Sequence, residues 1–223
     1  MEVREYLAIR RAYNTIRQRC DADRRLTFSE FAILCRLSLL PEGLRTSDIA
    51  EYQGCLRPTM THRTKHLADL GFIMRTQGNT DCRNVLCNLS DDGAEMAAKL
   101  CSQTRSELAH LLSNRPTTDH VRKYVDAMGS IDVMARDLVL LALYAQLDGQ
   151  ATIGAIVDAL GFLQPTVSMA VSALARDGLL NRDASLRGKS SHPVSLTKEG
   201  RAKAKSLNDC IEALTPVRRA RRQ

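Results

Sequence analysis

The stretch "LRPTMTHRTKHLADLGFI" (Leu56–Ile73) decides how this chain is to be read, because the chain says it again as "LQPTVSMAVSALARDGLL" (Leu163–Leu180). The offset from position 56 to position 163 is 107 residues, and it holds without a gap from Leu44–Leu100 to Ala151–Leu207. Ile49/Ile156, Gly54/Gly161, Leu56/Leu163, Pro58/Pro165, Thr59/Thr166, Leu67/Leu174, Gly71/Gly178, Arg75/Arg182, Leu89/Leu196 and Gly93/Gly200 all coincide. Core leucines and turn glycines kept in frame over such a length mark two copies of one structural unit. Two copies are too few for a solenoid, so a pair of similar domains is expected, with boundaries at 1–113 and 114–223.

Within the first copy, Thr46-Ser47-Asp48 offers helix N-caps before "IAEYQ". Gly54 then breaks the helix and can supply a positive φ at a tight turn. Pro58 suits the first turn of a new helix, where its missing N–H costs nothing. Met60, Leu67 and Leu70 lie near one face of that helix, with Thr64 a weaker member, and Gly71 ends it. "FIMRT" reads as a short strand, "QGNTD" as a turn, and Val85, Cys87 and Leu89 alternate as on a half-buried return strand. Ser90-Asp91-Asp92 then caps a long helix reaching about Ser113. Upstream, Thr27 and Glu30 have the spacing of a capping box. Val3, Leu7, Tyr13 and Ile16 recur at helical spacing near the N-terminus. "SNRPTTD" makes a short break in which Thr118 or Asp119 can cap the next helix. Helix, tight turn, helix and hairpin together form a winged helix-turn-helix. The expected class is therefore mainly α (α+β), with tandem units joined by dimerisation-type helices and no loose Gly/Ser linker between them.

Composition fits this class. Of 223 residues 44% are hydrophobic but only 4% aromatic, with no Trp, so the core rests on aliphatic side chains that suit packed helices. The net charge of +7 suggests a polyanionic partner. No apolar run approaches the ~20 residues that span a bilayer. "MEVREYLAIRRAYNTIRQRC" is charged throughout, unlike a signal peptide, so a cytoplasmic protein without a membrane partner is expected. Its seven cysteines, an odd number at irregular spacing, read as free thiols.

The residues then invite a family comparison. "DCRNVLCNLSDDG" (Asp81–Gly93) resembles the wing of the MarR family of transcriptional regulators, with its Asp-x-Arg, alternating apolar residues, Leu-Thr/Ser and Gly. "RPTMTHRTKHLADLGFIMR" resembles that family's recognition helix and first wing strand, and "LTFSEFAILCRLSLL" the helix before them. The second copy keeps "VSLTKEG" but has Gly188 and Ser190 at the Asp-x-Arg positions. Two units in one chain resemble the duplicated SarA-type regulators. The resemblance implies transcription regulation through double-stranded DNA, with a small-molecule effector of unknown identity. One chain would then act as a pseudo-dimer; a further homodimer through leftover helical surface stays open.

A recognition helix presents its N-terminal polar side chains to base edges in the major groove. In the first copy these are Arg57, Thr59, Thr61, His62 and His66; in the second, Gln164, Thr166, Ser168, Met169 and Ser172. Arg63 and Lys65 have less certain faces, and the resemblance puts Arg63 where an apolar residue usually sits. Arg83 at the wing tip can enter a narrow, electronegative minor groove, held by Asp81 through charge-assisted hydrogen bonds. Arg187 and Lys189 offer a looser version in the second wing. Arg75 and Arg182 are placed for phosphate contacts. Other readings compete. His62 and His66 share a face and could share a metal, but lack a third ligand. Cys82, beside Arg83, invites thiol sensing. "RRARRQ" either adds phosphate contacts or is a solvated tail. A duplicated helical scaffold could instead serve protein contacts, as in an antirepressor, yet a scaffold has no need of a basic hairpin. No phosphate loop, nucleophile motif or metal set appears, so neither enzymatic activity nor a cofactor is expected.

Overall fold

The structure, a computed structural model, describes residues 1–77, 85–109, 111, 116–182 and 193–216. It is mainly helical with small antiparallel sheets. The chain forms two compact units, one built on Ile16–Asp132 and the other on Met1–Thr15 with Val133–Leu214. A division at 113/114 follows the repeat, whereas compactness follows packing. A helix at Thr118–Met128 groups with the first winged helix, and the first 15 residues group with the second.

In the unit on Ile16–Asp132, α1 (Val3–Arg19) ends and is succeeded by α2 (Phe28–Leu39), β1 (Leu44–Arg45), α3 (Thr46–Tyr52), α4 (Arg57–Asp69), β2 (Ile73–Gln77), β3 (Val85–Leu89), α5 (Asp91–Leu108) and α6 (Thr118–Met128). The Thr27–Glu30 capping box forms: the Thr27 hydroxyl accepts from the Glu30 amide, and the Glu30 carboxylate accepts from the Thr27 amide at 2.7 Å. Beyond it Phe31, Ile33, Leu34 and Leu37 are fully buried, and α2 packs against α5 and α6. Burying each such side chain contributes about 1.5–3 kcal/mol. Cys35 and Cys101 face each other in this core as thiols, 3.8 Å between sulfurs.

The sheet order is β1-β3-β2, all antiparallel, with Arg75 opposite Cys87. Cys87 is buried, as its alternation implied. Two caps differ from expectation. Thr46 does not precede α3 but begins it. Pairing of β1 with β3 holds Arg45 extended at the N-cap, and the Thr46 hydroxyl turns inward to donate to the Val85 carbonyl at 3.2 Å. Likewise Thr117, not Thr118 or Asp119, caps α6, its hydroxyl accepting from the His120 amide at 3.1 Å.

In the second unit the elements are α7 (Ala135–Ala145), β4 (Gln150–Ala151), α8 (Ile153–Leu160), α9 (Gln164–Arg176), β5 (Leu180–Asn181), β6 (Val194–Leu196) and α10 (Lys198–Glu212), with sheet order β4-β6-β5. Leu138 through Leu143 of α7 are all buried. The start of the chain is tied here: Asn14 donates to the Leu160 carbonyl at 2.8 Å, and the Met1 amino group donates to the Leu214 carbonyl at 3.0 Å.

One joint recurs in detail in both units. Ser90 caps α5 by accepting from the Gly93 amide at 3.0 Å while its hydroxyl donates to the Gly71 carbonyl at 2.6 Å. Thr197 does the same for α10, with Gly200 at 3.0 Å and Gly178 at 2.9 Å. Gly93 and Gly200 are needed because a Cβ there would overlap the carbonyl oxygens of Phe72 and Leu179. The helix start can approach the chain that closely only without a side chain.

Candidate nucleic-acid interface

Both α4 and α9 come after a tight turn whose glycine has a positive φ, +59° at Gly54 and +62° at Gly161. α8 and α9 meet at a 116° bend, within the range of helix-turn-helix pairs. Pro58 and Pro165 occupy the first turn, where no intrahelical N–H is lost. Met60, Thr64 and Leu67 bury the inner face of α4, with the Thr64 hydroxyl satisfied by the Met60 carbonyl at 3.0 Å. Val167, Ala170, Val171 and Leu174 do so for α9.

The opposite faces are left to solvent. On α4, Arg57, Thr59, Thr61, His62 and Lys65 are exposed; no acidic residue occupies its first turn. On α9, Gln164, Met169 and Ser172 are exposed and Thr166 and Ser168 half-buried, again without an acid in the first turn. Such a face tolerates approach of a polyanion.

His66 has a second commitment that sequence reading missed. Its Nδ1 lies 2.7 Å from Oε1 of the buried Glu30 and donates to it, while Oε2 of the same carboxylate serves the Thr27 cap. Only Nε2 is left for an outside partner. Arg63, half-buried, donates to Gln53 Oε1 at 3.2 Å, and Gln53 donates to the Ser29 carbonyl at 3.1 Å. Polar bonds therefore tie α4 to α2 and α3. At the equivalent positions of the second unit stand Asp137, Ala173, Leu160 and Ala170. There Asp137 caps α7 through the Met134 amide, and α9 is held by apolar packing.

Behind α3, Arg36 lies over the Tyr52 ring at 3.8 Å and pairs with the buried Asp126 at 3.3 Å. Burial pushes the Asp126 carboxyl up to about 6 against the opposing pull of Arg36, and the Tyr52 hydroxyl, which donates to the Asp126 carbonyl, up to about 12.

Arg75 is half-buried, its Nε without a hydrogen-bond partner among the described residues, beside Cys87, whose thiol is pushed up by burial and drawn down by Thr46 and Arg75. Arg182 is exposed and donates to Ser172 Oγ at 3.3 Å, bracing α9 from the end of β5. Asp81, Cys82, Arg83, Arg187, Lys189 and "RRARRQ" from Arg218 lie outside the described residues.

A helix, a tight turn, a second helix with a solvated outer face and an antiparallel pair of strands define a winged helix-turn-helix. The family model of the MarR family matches residues 26–85, from just before α2 to the first residue of β3. Proteins of the MarR family are DNA-binding transcriptional regulators, generally non-enzymatic and typically dimeric. No curated protein matches the chain. Among the described residues no single helix is long and apolar enough to cross a membrane.

Proposed function

We propose that this protein is a cytoplasmic, sequence-specific regulator of transcription that places two winged helices on adjacent half-sites of double-stranded DNA from a single chain. The observation that carries this reading is the pair α4 and α9, which occupy equivalent places in the repeat and turn polar, acid-free first turns to solvent. The shared Ser90/Thr197 joint and the shared sheet order support descent of both units from one. Arg57, Thr59, Thr61 and His62 supply direct readout and charge. Gln164, Thr166, Ser168, Met169 and Ser172 supply contacts to phosphates, a thymine methyl or an adenine edge. His66 Nε2, Arg75 and Arg182 serve the phosphates, and Arg83 with Asp81, like Arg187 with Lys189, serves the wings.

Mobility shifts with genomic fragments across a salt series test the reading. Specific binding should weaken steeply with salt. Arg83→Ala should weaken it more than Arg105→Ala on α5, and should lower the salt slope by about one. Equal behaviour of wild type and the Arg83 variant would remove the wing from the interface. Absence of any salt-dependent binding would favour a protein-interaction module.

A further inference from the structure

Helix N-caps favour Ser, Thr, Asp and Asn, whose side chains satisfy a first-turn amide. The chain obeys this rule at Thr27, Ser90, Thr117, Thr152 and Thr197, each with the side chain accepting from the first turn. It breaks the rule at Arg45 and Met134, whose counterparts Thr152 and Thr27 in the other copy do cap, and at Leu56 and Leu163, the N-caps of α4 and α9, where the break occurs in both copies. Neither leucine repays the loss by packing: Leu56 is 77% and Leu163 58% exposed. One exposed leucine needs no explanation. A leucine that is exposed and poorly capping at the same position of both copies does, because it is kept together with Pro58/Pro165 and Thr59/Thr166 while other outward residues of the helix have diverged, from Arg57 to Gln164 and from His62 to Met169. Local rules broken without an internal gain point to contacts outside the fold.

We propose that Leu56 and Leu163 are DNA-contacting residues, pressing the start of each recognition helix against apolar surface of double-stranded DNA. This rests on the DNA-binding reading above. Double-stranded DNA is the occupant because each leucine adjoins a polar residue at the helix start, Arg57 or Gln164, on a face with no acidic side chain in the first turn. DNA offers apolar surface at the thymine 5-methyl group and at the deoxyribose edge. A branched aliphatic side chain covers such surface, whereas a serine hydroxyl favours polar partners.

The test uses the full chain and a duplex selected by the wild-type protein. Leu56→Ser and Leu163→Ser each restore a favoured cap, so thermal stability should rise, by about 2–4 °C for a chain of this size. Affinity for the duplex should nevertheless fall, about tenfold per leucine. Leu56→Ala and Leu163→Ala, which remove the apolar contact without adding a cap, should show the same loss of affinity. A duplex with deoxyuridine for thymine separates the sources. If it reproduces the loss, the thymine methyl is the partner; if it binds wild type normally while the variants still lose affinity, deoxyribose is. Unchanged affinity in all four variants would overturn the proposal while leaving DNA binding intact. Loss of stability and affinity together would also overturn it, since the leucines would then act through the fold. If the wild-type chain selects no duplex, the DNA-binding reading itself fails.

Discussion

His62 and His66 sit one helical turn apart on α4 yet face different tasks. His62 is exposed, whereas His66 gives its Nδ1 to Glu30. His62→Ala should therefore change the preferred DNA sequence, since a lost base contact costs about 1–3 kcal/mol of discrimination. His66→Ala should weaken binding without changing the preferred sequence, and should cost about 1 kcal/mol of stability. Binding selections and melting curves on both variants check this; an altered preferred sequence in the His66 variant alone would reverse the assignment. Asp126 makes the stability depend on pH. Its folded value near 6 stands above the ~3.9 of an unfolded aspartate. Between those values the folded protein keeps a proton that the unfolded chain has released. The stability contributed by this group is thus full below about pH 4 and is lost as pH rises through about 6. Asp126→Asn removes the dependence. Relative to wild type it should gain stability from pH 4 to pH 7, on the order of 2–3 kcal/mol, read from denaturant midpoints at each pH. Where a residue points across the fold was the part hidden from the sequence. Glu30 and His66 are separated by 36 positions, and nothing local marks Glu30 as having an oxygen to spare beyond its cap.

Among the elements, those set by short-range chemistry were legible. The glycine turn at Gly54, Pro58 in the first turn of α4, the Thr27–Glu30 box, the Ser90 cap and the return strand around Cys87 are all dictated by neighbours within a few residues. The features that escaped were decided by long-range pairing. β1 is a two-residue strand with no sequence signature, and only its pairing with β3 displaces the cap of α3 to Arg45. Contacts of α6 with α2 and α5 assign that helix to the first winged helix, a choice the repeat alone does not make. The Ser90 and Thr197 joints allow a matched test. Ser90→Ala and Thr197→Ala each remove a cap and the bond to a turn carbonyl, so each should destabilise by about 1–2 kcal/mol. Gly93→Ala and Gly200→Ala should cost more, because the obstructing atom is a backbone carbonyl that cannot step aside. Chemical denaturation of the four variants decides whether the two joints are energetic equals. A neutral Gly200→Ala would show that the second is looser.

For the whole molecule, the proposal of a covalent pair of reading heads predicts stoichiometry. One chain should saturate one minimal duplex, with half-sites about one DNA turn apart, roughly 34–36 Å. Light scattering on the free protein and on the complex measures this directly. Two chains per minimal duplex, or a strictly palindromic selected site, would leave the second unit as a scaffold. On that proposal the selected site should instead be asymmetric, because Arg57, Thr61 and His62 on one helix differ in chemistry from Gln164, Ser168 and Met169 on the other.

The unlike outer faces of α4 and α9 also carry a genetic consequence. In a reader made of two identical chains, one codon writes both contacts, so a mutation improving one half-site is imposed on the other. Here the codon for His62 and the codon for Met169 are separate letters. If both helices read DNA as proposed, a base change in one half of the operator can be answered by a single codon without disturbing the other half. Regulator and operator can then change together in half-steps, a route closed to any palindrome.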